Sequence, residues 1–280
     1  MVYGSSEYLR PSSRRSELRV LVCVKQVPDT EAKLMISGDG VSIAERDVKF
    51  IVNPYDEIAI EEAVRIKEQS SPDTTVSLVT VGPPRADDAL RVGLAMGADS
   101  ATRVWDAALE RTDGAAVARV LAAVAQEVGF DLILCGRVSI DDALGEVPLR
   151  LAARLGVPHA NAVTKLVVEA QHVNASAEIE GGTAVVEMDL PAVVTVQRGL
   201  NEPRYPAIPA IMRARRMPIE VLDLERLGID PDVVVASSRS RVVGLSEPPG
   251  RGAGRIIEAE TPQLAARQLA LLLRDEAKVL

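Results

Sequence analysis

RVLVCVK, at residues 19–25, is a near-continuous apolar run ended by Gln26-Val27-Pro28-Asp29. A strand apolar on both faces belongs inside a parallel sheet covered by helices on either side. Residues 74–81 (TTVSLVTV) and 131–135 (DLILC) have the same character, and 101–105 is a shorter strand. Helical segments separate them. Asn53-Pro54 opens one, with Pro54 in the first turn and Asp56 and Glu57 favouring its positive end. Ile58, Ala59, Ala63, Val64 and Ile66 keep its period up to Lys67. A second helix runs through Leu90, Leu94 and Met96 and stops at Gly97; residues 114–128 and 145–155 predict two more. This alternation predicts an α/β fold, a doubly wound and mostly parallel sheet with right-handed crossovers.

Beyond residue 160 the rhythm changes. Short strands at 162–168, 173–179, 183–188 and 192–196, two of them joined across Gly181-Gly182, read as antiparallel additions to one edge. Ser-Gly-Asp-Gly at 37–40 is a hairpin signal. Residues 199–211, with Pro203, Pro206 and Pro209, form a loop leading into a short basic helix at 211–216. From 227 to about 252 little periodicity is left, and Thr261-Pro262 caps a final helix over 263–277. An arm of about 25 residues with a lone helix beyond it is hard to place inside a compact domain and suits packing on a partner chain.

The net charge of −8 argues against a nucleic-acid role, which needs a concentrated basic face. Cys23 and Cys135 sit in apolar strand runs with neither a CxxC partner nor a nearby His. They predict buried, reduced thiols of a cytoplasmic protein, with no metal site. No run reaches the roughly 18 apolar residues of a membrane span. Residues 1–17 carry Arg10, Arg14 and Arg15 without an apolar segment, so they read as a flexible extension, not a secretory signal; the alternative of a transit peptide is opposed by acidic Glu7 and Glu17 and by the missing helical periodicity.

Ligands of open α/β sheets sit at the carboxyl ends of the strands. Three loops converge there: 23–28, 81–84 and 136–146. In the last, Gly136-Arg137, Ser139, Asp141 and Asp142 precede a helix starting near Gly145, which offers backbone amides to a phosphate. An ordinary βα loop with acidic helix caps fits the same residues. The sequence holds no GxGxxG, GxxxxGK[ST] or GxSxG. His159 and His172 read as surface residues, and the pairs Asp87-Asp88 and Glu61-Glu62 as solvated helix faces. No nucleophile–base pair is evident and no catalytic residue is assigned, so a binding or relay protein is expected.

Three stretches carry a resemblance to a known family. They are VLVCVKQVPD (20–29) with NPYDEIAIEEA (53–63), LAMGAD (94–99) with DLILCGRVSIDD (131–142), and PAVVTVQRGLNEPRYPAIPAIMRARR (191–216). In this order they resemble the beta subunits of electron-transfer flavoproteins, and GRIIEAETP (254–262) resembles their C-terminal arm. The likeness covers about residues 18–280.

The resemblance implies an adenine-nucleotide-hydrolase-like fold in an obligate heterodimer with an alpha subunit, whose mobile domain carries the redox FAD. It implies AMP, or a second FAD, in the beta subunit's own domain. It divides the chain into an extension at 1–17, an α/β nucleotide-binding domain at 18–226, and an arm with helix at 227–280 packing on the alpha subunit. By motif position the nucleotide contacts fall on Cys23, Lys25, Asn53, Val81, Gly82, Gly136, Arg137, Ser139, Asp141, Gly145, Glu146 and Val147. A recognition loop at 198–216 docks on dehydrogenases with Leu200 as its exposed apolar anchor. Asn201, Glu202, Pro203, Arg204 and Tyr205 lie beside it, and Arg213, Arg215 and Arg216 steer towards an acidic surface. The bland reading of that loop has Leu200 packed inward. Expected partners are dehydrogenases and a quinone-reducing or ferredoxin-type acceptor. Where many relatives carry Asp-Gly-Asp-Thr or a similar polar run before a Gln, this chain has DDALGE at 141–146, with an apolar Leu144 and an anionic Glu146. GEVPLRLAARLGVP (145–158) and the C-terminal segment resemble the nitrogen-fixation-type and bifurcating branch, which would favour FAD in the beta site.

Two other readings compete: a stand-alone adenine-nucleotide-binding α/β protein without a redox role, and an adenylate-handling enzyme of similar fold. Both predict a stable monomer and leave the loop and the arm unexplained; fold alone would not separate the three.

Overall fold

The computed structural model describes residues 18–70, 73–169, 171–250 and 254–279; the extension expected at 1–17 lies outside them. The first half alternates as expected: β1 (Arg19–Cys23), β2 (Gln26–Pro28), β3 (Phe50–Val52), α1 (Pro54–Gln69), β4 (Thr75–Val81), α2 (Asp87–Met96), β5 (Ser100–Val104), α3 (Gly114–Val128), β6 (Leu132–Gly136) and α4 (Val147–Leu155). Then follow β7 (His159–Val168), β8 (His172–Ile179), β9 (Gly182–Asp189), β10 (Ala192–Val196), α5 (Ile208–Ala214), β11 (Glu220–Leu222), α6 (Pro231–Ser237) and α7 (Pro262–Asp275). Of the described strands, nine form one sheet in the order β11-β5-β4-β1-β6-β10-β7-β8-β9. Every pair from β11 to β7 is parallel, and only β7-β8 and β8-β9 are antiparallel.

Two apolar layers cover the sheet. On one side α1 and α2 bury Ile60, Ala63, Leu90 and Leu94 against Val20, Leu78 and Leu134. On the other, α3 and α4 bury Val120, Val124, Leu151 and Ala152 against Leu21, Val79 and Ile133. Each fully buried Leu or Ile contributes about 1.5–3 kcal/mol by leaving water. Alanines at 115, 116, 118, 122 and 125 are buried and let α3 lie close to the strands. Asp113 caps α3 by accepting from the N–H groups of Ala115 and Ala116 at 2.9 and 3.2 Å.

Four expectations need correction. Residues 192–196 are not an antiparallel edge addition: β10 lies between β6 and β7, parallel to both, with every residue buried. Its unbroken AVVTV run is the pattern of a strand covered on both faces. The stretch from 227 is not wholly an arm, because Asp230 caps α6, and Val234 is buried beside α3. Segment 26–28 does more than end β1: it pairs antiparallel with β3 in a separate small sheet. The hairpin at 37–40 reduces to one bridge, Ile36 to Ile43.

Candidate functional site

β1 has β4 on one side and β6 on the other, with α1 and α2 covering one face and α3 and α4 the opposite one. The winding therefore reverses at β1, and the crevice beyond the carboxyl ends of β1 and β6 is the switch point. Asp56, in the first turn of α1, holds that junction. Its carboxylate accepts from the Lys25 amide at 2.7 Å, the Gly136 amide at 3.1 Å and Asn53 Nδ2 at 3.0 Å. Burial pushes its carboxyl up to about 7, against those donors and the nearby Lys25 charge. Residue 136 has to be glycine here: a Cβ would stand 2.2 Å from Asp56 Oδ1 and 2.9 Å from the Tyr55 backbone.

Asn53 extends the clamp. Its Nδ2 also donates to the Val138 carbonyl at 2.9 Å, and its Oδ1 accepts from the Ile140 amide at 3.2 Å. The buried side chain is thereby spent on shaping the loop after β6. Across that loop, Lys25 Nζ reaches Ser139 Oγ at 3.1 Å, Asp141 at 2.8 Å and Asp142 at 3.0 Å. Burial would lower the Lys25 pKa, but hydrogen bonds and charge from Asp141 and Asp142 prevail and hold it above the ordinary lysine value. Positive φ at Ala143 and Gly145 turns the chain into α4. Among the described residues, the amides of Gly145, Glu146 and Val147 meet no acceptor, so they are free to face a ligand at the start of α4.

Of the twelve residues expected to contact nucleotide, the structure brings Lys25, Asn53, Gly136 and Ser139 to Val147 together around this crevice. Cys23 closes β1 just below it. Val81 and Gly82 end the adjacent β4, where the Gly82 amide bonds to Val104. The Arg137 side chain is exposed. Glu146 does not stand as a bare charge, since Arg150 pairs with it at 2.8 Å. Positive Lys25, three open amides and a helix N-terminus fit a phosphate group.

Residues 198–216 form a second constellation, fastened to α1. Asn201 Nδ2 donates to the Ile58 carbonyl at 3.1 Å and to Glu62 at 2.8 Å. Arg204 donates to Glu61 at 2.8 and 3.0 Å and to Glu68 at 2.6 and 3.0 Å. The acid pair Glu61-Glu62 is therefore buried and partnered, not solvated. Both fall on the stripe between Ile58 and Ile66, where a charge demands a partner. Asp87 likewise pairs with buried Arg103 at 2.6 Å, while Asp88 stays exposed. Leu200 is half-buried against the core, not exposed, and Asn201 and Arg204 point inward. Glu202 is exposed and Pro203 half-buried. The apolar surface is offered instead by Tyr205, 99% exposed, with Ile208 at 76%. Arg213, Arg215 and Arg216 are exposed, without an ion pair among the described residues, and Arg91 of α2 bonds the Ala214 carbonyl at 2.8 Å. His159 and His172 are at the surface, as expected, with His172 beside Asp189.

Sequence reasoning missed Asp56 as the keystone and Glu61, Glu62 and Arg91 as loop anchors. A signal existed for Glu62, which shares the i, i+4 row with Ile58 and Ile66. None marked Arg91, whose partners lie over a hundred residues away.

Residues 40–227 match the family model of the electron transfer flavoprotein domain. The chain is similar to "Electron transfer flavoprotein subunit beta" of Bacillus subtilis (strain 168), 38% identical over 264 residues, covering 94% of this chain and 100% of the relative. The protein of that name from Syntrophomonas wolfei is 38% identical over 94% of this chain and 98% of its own length. The one from Homo sapiens is 37% identical over 90% of this chain and 97% of its own.

Proposed function

Since the chain belongs to the electron transfer flavoprotein beta subunits, we propose that it holds an adenine nucleotide, AMP or a second FAD, in the crevice at the carboxyl ends of β1 and β6. Its partner is an alpha subunit, and the FAD held with that subunit supplies the redox chemistry. The convergence of Lys25, the Asn53–Asp56 clamp and the open amides at 145–147 supports the nucleotide site.

In this reading Lys25 exchanges part of its contact with Asp141 and Asp142 for a phosphate, and Arg150 keeps Glu146 from repelling it. Tyr205 and Ile208 supply the apolar contact with a dehydrogenase. Leu200, half-buried beside them, supports the loop from within, and Arg213, Arg215 and Arg216 steer the approach. The chain beyond residue 238 and α7 pack on the alpha subunit: α7 buries nothing in this chain and exposes Leu264, Leu269 and Leu271. Dehydrogenases deliver electrons, a quinone-reducing or ferredoxin-type acceptor removes them, and the assembly works in the cytoplasm. Among the described residues no helix is long and apolar enough to cross a membrane.

Co-expression with the matching alpha subunit, followed by counting FAD and AMP per heterodimer, tests this. One FAD with one AMP marks a conventional carrier; two FAD without AMP marks a bifurcating type. A single FAD with an empty beta site would refute the nucleotide site alone. Failure to form a flavin-containing heterodimer would refute the whole reading.

A further inference from the structure

Cys23 and Cys135 are far apart in sequence but sit opposite each other in the parallel pair β1 and β6. Both are free thiols. Neighbouring strands lie about 4.8 Å apart, inside the roughly 4.4–6.8 Å Cα separation that a disulfide spans. Residues in register project to the same face, and both cysteines pack into the layer formed with α3 and α4. Their exposure differs: Cys135 is buried, whereas Cys23, ending its strand, is half-buried at the crevice side.

We propose that this pair is an oxidation site, closing as a reversible intrachain disulfide when the protein meets hydrogen peroxide. The accessible Cys23 sulfur attacks one peroxide oxygen, the O–O bond breaks, and a sulfenic acid and one water result. Cys135 sulfur then attacks Cys23 sulfur. The S–S bond forms, the S–O bond breaks, and hydroxide leaves with the Cys135 proton as a second water. Two thiols are oxidised and one peroxide is reduced to two waters.

Exposure assigns the order of events, since access governs which thiol meets the oxidant first. The neighbouring Cys23 thiol, together with burial, raises the Cys135 thiol well above its ordinary value. Cys135 therefore stays protonated and inert until its neighbour is oxidised, and closure is slow. The bond would weld β1 to β6 directly beneath the Lys25 and Gly136 amides that Asp56 holds. The crevice floor is thus the part of the molecule that oxidation alters.

Treating the full chain with hydrogen peroxide, unfolding it, alkylating free thiols and mapping peptides by mass spectrometry tests the proposal. The expected product is a peptide pair joined through Cys23 and Cys135, lighter by two hydrogens, unalkylated, and restored by dithiothreitol. Cys135→Ala should leave Cys23 as a sulfenic acid trapped by dimedone. In Cys23→Ala the remaining thiol should be lost at least about tenfold more slowly, because it is buried. Circular dichroism checks that both variants fold, and the wild-type peptide map stands without them. Recovery of both cysteines alkylated, of Cys23 only as sulfinic or sulfonic acid, or of dimers linked through Cys23 would each overturn the proposal.

Discussion

Arg204→Ala removes the guanidinium that fastens the 198–216 loop to α1, and its cost follows from the burial of Glu61. That side chain is 6% exposed and receives Arg204 through Nε, Nη2 and the backbone N–H, the last at 3.1 Å. In the variant only the backbone N–H remains. Stranding one member of a buried pair costs about 3–5 kcal/mol. Arg204 itself is 34% exposed, so water enters the vacated space and the penalty falls towards the lower end. The second contact, to solvent-exposed Glu68, adds at most about 1 kcal/mol. The sum is a destabilisation of about 3–4 kcal/mol, which lowers the melting temperature by roughly 6–16 °C in a chain of this size. Urea unfolding at pH 7, followed by circular dichroism, measures it. Glu68→Gln is the control and should cost under about 1 kcal/mol. Glu61→Gln placed on Arg204→Ala should recover part of the loss, since a neutral amide tolerates burial better than an unpaired carboxylate. An Arg204→Ala protein within about 0.5 kcal/mol of wild type, or a further loss on adding Glu61→Gln, refutes the reasoning.

Gly136→Ala drives a methyl group into the Asp56 carboxylate and the Tyr55 backbone; a loss of about 3 kcal/mol or more in urea unfolding is expected. Asp56 makes stability pH-dependent: with its carboxyl raised from 3.8 to about 7 the folded chain holds the extra proton. This contribution is full below the lower value and is lost as pH rises through the upper one. Urea midpoints should therefore fall more between pH 5 and pH 8 in wild type than in Asp56→Asn. Asp113 has the opposite sign. Burial works against its charge, but the N–H groups of Arg239, Ser240 and Ala116 prevail and hold the carboxyl at about 2. Its stabilisation is present above 3.8 and lost as pH falls through about 2. Asp113→Ala should cost about 1 kcal/mol as a lost helix cap, and should release the segment after Ser238 to proteolysis at neutral pH.

The first half of the fold was legible because each element is written locally. Apolar runs of strand length alternate with helical periods, Pro54 opens α1, and Gly97 ends α2. β10 was misplaced for a reason equally physical. Its AVVTV run signals burial on both faces, but nothing local says which strands lie beside it, and its partners begin 60 residues earlier and 33 earlier. The three-residue β11 is too short to carry a period, and α6 has a Pro start and an Asp cap in a stretch otherwise without pattern. At the crevice, Lys25 and the loop after β6 were readable from strand ends and from motif resemblance. Asp56 was read as a helix-end charge, because that role and the keystone role demand the same residue at the same position. Leu200 shows the limit of inferring exposure from neighbouring prolines: Asn201 and Arg204 draw the loop inward, which leaves Tyr205 outermost.

The late arrival of β10 sets an order on assembly. Strands β1, β4, β5 and β6 leave the ribosome well before residues 192–196, so during synthesis β6 faces outward with a row of unpaired amides and carbonyls. Such an edge is paired with β1 on one flank only, and its open flank invites pairing with another chain. Truncation between residues 136 and 192 would make that interim state permanent. The sequence that fills the gap also leads directly into the 198–216 loop, so that loop is synthesised only after the strand that covers the open edge of β6.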